Sequence, residues 1–190
     1  RCPKADPRYA YIAPFFNQAK DIAWEYLKRY TAPIPGATPN ESELRVDLPG
    51  GRRIRLYGAD NADRMRGIYL DGVVLDEPAQ MEPRVWSEII RPALADREGW
   101  AVFIGTPMGR NAFHDRYETA KGDPAWRASL FRASETGIIP QAELDAARRD
   151  MTPEQYEQEF ECSFEAAIVG AYYGRELAAA EKDKRITSVP

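Results

Sequence analysis

The chain contains few of the residues that build metal centres, disulfides or membrane segments. Two cysteines and one histidine occur in 190 residues. Cys2 and Cys162 have neither metal-ligand spacing nor the density of a disulfide framework, which suits a reducing cytosol. His114 is predicted to lie on the surface of a helix rather than to act as a catalytic base. No apolar run approaches the roughly 18 residues needed to cross a bilayer, and no signal-peptide pattern is present. These absences predict a soluble, cytoplasmic protein.

The charge of the chain is weakly acidic overall but unevenly distributed. The net charge is −4 and the pI about 5.2, so nucleic-acid binding does not follow from the total. Residues 45–66 contain six arginines against three aspartates, whereas residues 141–165 contain eight acids against two arginines. Two interpretations of the basic region stay open: a face that contacts DNA, or an ordinary solvated surface.

What the chain does contain is an apolar run that ends in two carboxylates, residues 72–77 (GVVLDE). Its first four positions carry no polar side chain, and β-branched Val73 and Val74 favour a strand buried on both faces of a parallel sheet. Ligands of open α/β sheets bind beyond the carboxyl ends of strands. Asp76 and Glu77 are therefore predicted at a cofactor site, although acidic turns also follow buried strands without any function.

Strand and helix patterns precede this run. Residues 8–13 predict a strand, and residues 15–30 carry apolar side chains at the spacing of an amphipathic helix. Gln18 and Lys20 fall in its first turns, where free backbone N–H groups and the helix dipole favour a phosphate; an ordinary polar helix start is the alternative. A hairpin is predicted from residues 43–48 and 52–57, and its buried face is formed by Leu44, Val46, Ile54 and Leu56.

Two further segments are predicted near the same edge of the sheet. Residues 58–67 predict a turn and short helix, whose Arg64 and Arg66 either contact phosphates or form surface salt bridges. Residues 100–104 (WAVFI) predict a buried strand beside the central one. It ends in Gly105, which permits close backbone approach, and Thr106, whose hydroxyl can sense a γ-phosphate. A helix over residues 83–96, kinked or ended by Pro92, is predicted between them.

The second half of the chain is predicted to be mainly helical. Helices are expected at 113–120, 141–149 and 153–160, with a strand at 126–132. Thr152 is the expected N-cap of the last helix, followed by Pro153 at the first helical position. The two acidic helices at the end predict a small lid.

Four blocks of residues, in this order, resemble one protein family: Tyr11-Ile12-Ala13-Pro14 with Gln18-Ala19-Lys20, Gly58-Ala59-Asp60-Asn61 with Arg66-Gly67, Val73 to Glu77, and Gly105-Thr106-Pro107. The family is the large terminase subunit of tailed bacteriophages, the ATPase of the DNA-packaging motor. The resemblance covers nearly all of the chain. It implies an α/β, P-loop NTPase-like (ASCE, RecA/helicase-like) fold, with a mostly parallel sheet flanked by helices and a small helical lid.

The resemblance also implies cofactors and residue roles. The cofactors are ATP and Mg²⁺, and the strand end at Asp76 and Glu77 is the Walker B segment. Asp76 holds Mg²⁺ through water, Glu77 activates the attacking water, and Arg64 or Arg66 acts on the nucleotide within or across subunits. Gly105 and Thr106 belong to the motif that couples hydrolysis to DNA movement, and Gln18 to the nucleotide-binding residues.

One part of the family pattern is missing. A phosphate loop, G-x-x-x-x-G-K-S/T, is expected before the first strand, and it occurs nowhere in the 190 residues. We therefore expect a fragment. Residues 1–165 form an ATPase domain without its phosphate-loop part (1–132 sheet core, 133–165 helical lid), and residues 166–190 form a linker towards a nuclease domain. The fragment alone is expected to be inactive.

The full-length protein is expected to couple ATP hydrolysis to translocation of double-stranded DNA into a procapsid, and also to cut DNA. Its expected partners are double-stranded DNA, the portal protein and procapsid, the small terminase subunit and further copies of itself in a ring. Its expected location is the cytoplasm of the bacterial host, docked on the procapsid. Two alternatives stay open: a helicase-like or repair DNA translocase, and a non-catalytic prophage remnant.

Overall fold

The structure is a computed structural model that describes residues 5–165, residue 180 and residues 183–185. The chain forms two compact units, residues 1–105 and residues 106–190. The expected linker over residues 166–190 lies almost entirely outside the described residues.

The first unit is built on a six-stranded sheet with the order β2-β3-β4-β1-β5-β6. β1 runs parallel to β4 and β5, and β5 runs parallel to β6, whereas β2 and β3 are antiparallel additions at one edge. The predicted mostly parallel α/β sheet is therefore confirmed. The strands are β1 (Arg8–Ala13), β2 (Thr38–Asn40), β3 (Arg45–Leu48), β4 (Arg52–Gly58), β5 (Gly72–Asp76) and β6 (Trp100–Ile104).

Helices pack against both faces of this sheet because strand side chains alternate between the faces. Ala10 and Ile12 of β1 join a buried cluster with the 3₁₀-helix Ala59–Met65 and the helical segments Val85–Ile90 and Arg91–Ala95. Ala13 belongs to a second buried cluster, with Ala19, Trp24, Leu44, Val46 and Leu56. Both faces of the parallel strands are thus covered, as expected for an α/β sheet.

The two long predicted helices are present but change their winding along their length. The first consists of Phe16–Ala19, a π-helical Lys20–Trp24 and Glu25–Thr31 without a break. The second consists of a π-helical Val85–Ile90 followed by Arg91–Ala95. Pro92 follows the π-helical segment after one residue, and the helical run continues through it to Ala95 rather than ending there.

The predicted hairpin is also present, and most of its predicted buried face is buried. Leu44, Val46 and Leu56 are each at most 2% exposed, whereas Ile54 is half-buried. The short edge strand β2 was not predicted. Its central residue is Pro39, which donates no ladder hydrogen bond and therefore gives no strand signal.

One prediction about the sheet is wrong. β6 pairs with β5 as expected, but it is not a fully buried strand. Trp100, Val102 and Ile104, on one side of the strand, are 51%, 44% and 57% exposed. Ala101 and Phe103 face the other way, and Phe103 makes an edge contact with Trp86 at 4.8 Å. In the described part of the chain β6 is an edge strand, and one of its sides is exposed. An apolar sequence was therefore not sufficient to predict a buried strand.

The second unit is helical in its described residues. Its helices are Ala112–Gly122, Ala133–Thr136, Gln141–Asp150 and Pro153–Glu159. Thr152 caps the last helix as predicted, in a reciprocal capping box with Gln155. The predicted strand at 126–132 is wrong, because this extended segment has no ladder partner among the described residues. No helix in the described residues is long and apolar enough to span a membrane.

Candidate active site

The two predicted carboxylates lie at the carboxyl edge of the parallel sheet. Asp76 is the last residue of β5, and Glu77 follows it directly. β5 lies between β1 and β6, with Ile12 beside Leu75 and Ile104 beside Asp76. The carboxyl ends of three parallel strands therefore meet around this pair, which is where α/β sheets bind ligands.

The backbone of Glu77 has an unusual conformation. Its φ and ψ angles are 52° and 49°, in the left-handed region, which is uncommon for a residue with a side chain. The Glu77 N–H donates to the Ile104 carbonyl at 2.8 Å, and the Glu77 carbonyl accepts from the Gln80 N–H at 3.0 Å. The surrounding strands and the 3₁₀-turn Pro78–Gln80 thus hold Glu77 in this conformation. Such strain is often found at functional sites.

Gly105 lies directly against Glu77. A Cβ atom built on Gly105 would lie 3.0 Å from the Glu77 Cα and 3.0 Å from the Pro78 Cδ. Both approaches are closer than carbon atoms in van der Waals contact tolerate. Glycine at position 105 therefore allows the end of β6 to pack against the turn that carries Glu77.

A tyrosine that sequence reasoning missed contacts the first carboxylate. The Tyr11 hydroxyl donates a short hydrogen bond to Asp76 Oδ2. Burial, this hydrogen bond and the neighbouring charges of Asp76 and Glu77 raise the pKa of Tyr11 above its usual range. The phenol therefore stays protonated and donating at neutral pH. The alternation of side chains along β1 predicts that Tyr9 and Tyr11 lie on the same face of the sheet. The contact between Tyr11 and Asp76, however, depends on the pairing of Tyr11 with Val74, two residues before Asp76.

The start of the helix after β1 is partly occupied by the protein itself. Gln18 lies half-buried in the first segment, Phe16–Ala19. The Phe16 N–H, expected to be free for a phosphate, donates to Asp60 Oδ1 at 3.2 Å. The Asp60 N–H in turn donates to the Pro14 carbonyl at 2.9 Å. The turn after β4 is thereby tied to the carboxyl end of β1, next to Gln18.

The two candidate arginines have different surroundings. Both are exposed at the end of the 3₁₀-helix Ala59–Met65. Arg66 donates to Asp63 at 2.8 Å and to Glu88 at 3.4 Å, and both carboxylates raise its pKa. Arg64 has no ion pair or side-chain hydrogen bond within the described residues. Because the guanidinium of Arg64 is unpaired there, it is the more available of the two for a ligand.

Thr106 is half-buried and is the first residue of the second unit. It follows Gly105 directly in the chain.

The carboxylates fit the way proteins bind Mg²⁺ with nucleotides. No cluster of three or more acidic, histidine or cysteine side chains suited to a metal occurs in the described residues. Mg²⁺ in such sites is held by one or two carboxylates together with water and substrate phosphates, so a dense protein cage is not needed. Asp76, with its position fixed by Tyr11, supplies the kind of ligand required.

An Asp-Glu pair after a buried strand, at the carboxyl edge of a mostly parallel sheet covered by helices, is an arrangement typical of α/β proteins with a P-loop NTPase-like fold. No protein-family model matches the chain. Individual relatives do match it. The chain is similar to the large terminase subunit of Thermus phage G20c, with 37% identity over 170 residues, which cover 77% of this chain and 34% of that protein. It belongs to the large terminase subunit family of phages, as its motif order implied.

Solved structures agree with this fold. The large terminase ATPase domain of Thermus phage P74-26 is 27% identical, with a TM-score of 0.63 over 85% of this chain and 78% of that one. The large terminase of the thermophilic bacteriophage D6E in complex with ADP has a TM-score of 0.65 at 15% identity, over 85% of this chain and 41% of that one. The P-loop NTPase-like fold is confirmed. The chain spans about a third of the length of the curated relatives it matches.

Proposed function

We propose that this chain is part of a motor ATPase that couples ATP hydrolysis to the movement of double-stranded DNA into a procapsid. The observation that carries the proposal is the position of Asp76 and Glu77, held by Tyr11 and Gly105, in a chain of the large terminase family. The relatives are about three times as long as the matched region, so the activity is proposed for the longer protein. The 190 residues contain no phosphate-loop sequence, and by themselves we expect them not to hydrolyse ATP.

In the proposed site, Asp76 would hold Mg²⁺ through water. When bound, Mg²⁺ offsets the charge on the β- and γ-phosphates. Tyr11 donates to one oxygen of Asp76 and so limits the rotation of the carboxylate. The other lone pairs of Asp76 are left for the water ligands. Tyr11 is therefore a positioning residue, and it acts on the nucleotide through Asp76.

Glu77 is proposed to orient the attacking water and to accept its proton. Along a continuing strand, the side chains of residues 76 and 77 would point to opposite faces of the sheet. The left-handed backbone of Glu77 turns the chain immediately after Asp76, so the Glu77 carboxylate does not follow this alternation. A fixed carboxylate near the γ-phosphate is the group that in-line attack by water requires.

Arg64 is proposed as the arginine that stabilises charge on the transferring phosphoryl group. Its exposure and lack of a described partner favour it over Arg66, which is held by Asp63 and Glu88. An exposed arginine can act on the nucleotide of its own subunit or on that of a neighbour in a ring.

The remaining site residues are proposed to link nucleotide state to movement. Gln18 lies beside the carboxyl end of β1 and is proposed to contact the nucleotide. Gly105 and Thr106 follow β6, and Gly105 touches the turn of Glu77. A shift of Glu77 during hydrolysis would therefore be transmitted to the segment that begins the second unit.

The proposed partners of the longer protein are double-stranded DNA, the portal protein and procapsid, the small terminase subunit and further copies in a ring, in the cytoplasm of the bacterial host. A separate nuclease domain is proposed to cut the DNA.

The test is Glu77→Gln in the full-length protein, with Glu82→Gln as the matched control. Glu82 is an exposed carboxylate five residues further on, paired with Arg84 at 2.7 Å. Losing the group that handles the water proton is expected to lower steady-state ATP turnover by roughly 100-fold or more, with near-normal turnover in the control. An active wild type with equal turnover in both variants would contradict the assignment of Glu77. A wild type that lacks ATPase activity would contradict the function itself.

A further inference from the structure

A pocket lined by arginine and tyrosine side chains lies in the first unit and does not include the carboxylate pair. It has a volume of about 300 Å³ and is lined by Arg8, Arg53, Arg55, Tyr9, Tyr57 and Tyr69, together with residues around Ile68. Arg8 begins β1, five residues before its carboxyl end at Ala13. At about 3.3 Å per residue, this places Arg8 roughly 16 Å along the strand from the edge that carries Asp76. Arg55 and Tyr57 lie nearer that edge, since they pair with Ala10 and Ile12 of β1, but neither Asp76 nor Glu77 lines the pocket.

The pocket is strongly positive. Three of its lining residues are arginines, and none of the described lining residues carries a carboxylate. Arg53 is compensated by Asp47, at 2.5 Å from its Nε. Partial burial acts to raise the pKa of Asp47, but the guanidinium groups of Arg53 and Arg45 together have the larger effect. The pKa of Asp47 therefore lies below its usual value. Asp47 is therefore ionised at neutral pH, and it offsets charge at Arg53.

The other two arginines have no carboxylate partner for their side chains among the described residues. The Arg8 side chain donates to the neutral Gly51 carbonyl at 2.6 Å. Arg55 has no ion pair or side-chain hydrogen bond in the described part of the chain, and its Nε is buried without an acceptor. Buried donors without acceptors are rare and costly. Two uncompensated guanidinium groups thus converge on one cavity.

Tyrosine rings hold these guanidinium groups in place. Arg55 lies over the Tyr57 ring, 5.1 Å from its centroid, and Arg8 lies 5.9 Å from the Tyr69 ring. Arg97 approaches the same Tyr69 ring, at 4.5 Å, and the Tyr69 hydroxyl donates to the Asp6 carbonyl at 3.1 Å. Stacked guanidinium groups lose less conformational freedom when they bind an anion. The pocket is therefore preorganised.

We propose that this pocket binds a phosphate ester, with Arg55 and Arg8 taking its charge. The planar guanidinium fork matches phosphate oxygens, and an anion beside Arg55 supplies acceptors that the protein does not. The aromatic lining offers faces on which a sugar or base can pack. Two sources carry this chemistry: the backbone of a DNA duplex, and a free nucleotide. The proposal does not depend on the ATPase assignment, because it uses none of the residues of that site.

The experiment compares Arg55→Gln with Arg52→Gln in the full-length protein. Arg52 is exposed on the same strand, donates only to the Pro49 carbonyl at 3.0 Å among described residues, and does not line the pocket. Each variant removes one charge from β4. Binding of a labelled random-sequence duplex is measured across a salt series, and binding of thymidine monophosphate by calorimetry.

Arg55→Gln is expected to lower the affinity for one of these two ligands about tenfold, whereas Arg52→Gln leaves both affinities unchanged. If the duplex is the source, the slope of log affinity against log salt also falls by about 0.9, the value of one lost phosphate contact. Loss of thymidine monophosphate binding alone identifies a nucleotide pocket. Arg8→Gln gives a second reading, since the hydrogen bond from the Arg8 backbone N–H to Asp71 does not involve the side chain. Equal binding of both ligands by wild type, Arg55→Gln, Arg8→Gln and Arg52→Gln overturns the proposal.

Discussion

At the scale of single residues, the candidate site depends on how its carboxylates are held. Asp76 has a hydrogen-bond donor in Tyr11, on the neighbouring strand. Because burial and the two carboxylates raise the pKa of Tyr11, the hydroxyl is lost as a donor only at strongly alkaline pH. The bond to Asp76 is therefore expected to be independent of pH over the range in which the protein is folded and active.

Tyr11→Phe in the full-length protein removes this donor and keeps the ring. We expect the Mg²⁺ concentration required for half-maximal ATP turnover to rise by about tenfold, since loss of a group that orients a metal ligand typically costs 10- to 100-fold in metal affinity or activity. Tyr9→Phe, on the same strand, is the control. Isothermal titration with Mg²⁺ and nucleotide gives a second measure that does not need turnover. Unchanged Mg²⁺ dependence with normal activity would show that Tyr11 only packs.

Arg64→Ala and Arg66→Ala form a matched pair, two residues apart at the end of the 3₁₀-helix Ala59–Met65. Arg64→Ala is expected to lower ATP turnover by about 1,000-fold or more if Arg64 stabilises the transferring phosphoryl group. Arg66 is occupied by Asp63 and Glu88, and its loss is expected to change turnover little, because exposed ion pairs contribute little. Mixing each variant with a Glu77→Gln protein then tests action across subunits. The reverse order of effects would assign the role to Arg66.

At the scale of elements, the site is a junction between the ends of β5 and β6. Residues 105 and 77 are so close that a side chain on Gly105 would require the turn of Glu77 to shift. The hydrogen bond from Glu77 to Ile104 joins the same two strand ends through the backbone. The end of β6, which directly precedes the proposed coupling residues, is therefore joined to the turn that carries the proposed catalytic acid.

Gly105→Ala tests this junction. The added methyl would lie 3.0 Å from the Glu77 Cα, so the turn of Glu77 must shift. We expect turnover to fall at least tenfold and the free energy of unfolding to fall by about 1–3 kcal/mol, as for overpacked sites. Gly122→Ala is the control, since nothing lies within 4 Å of its added Cβ. Urea denaturation and steady-state ATP turnover measure the two effects. Normal turnover in Gly105→Ala would show that Glu77 tolerates displacement.

At the scale of the whole molecule, the parallel strands were the part that the sequence predicted best. β1 and β6 were predicted with their observed bounds, and β5 near its own, because parallel strands of this kind are short apolar runs between turns. The position of Asp76 and Glu77 followed, since the end of such a run fixes the edge of the sheet.

Contacts between distant segments could not be predicted in the same way. The bond from Tyr11 to Asp76 depends on the register of β1 against β5, which a single sequence does not fix. The exposed side of β6 has the same apolar composition as a buried one. The arginine pocket joins residues of β1 to residues of β4 and of the segment before β5, and the pocket residues of β1 lie more than forty positions before both. The segment 126–132 alternates like a strand but has no described partner to pair with.

The left-handed backbone of Glu77 has a consequence for how the protein can change. With glycine or asparagine at this position, the backbone strain at φ of 52° would be smaller by about 1 kcal/mol. Either substitution would remove the carboxylate proposed to handle water. Selection for stability and selection for hydrolysis therefore oppose each other at this position. A copy of this gene freed from selection for the proposed hydrolysis would therefore be expected to lose glutamate here early.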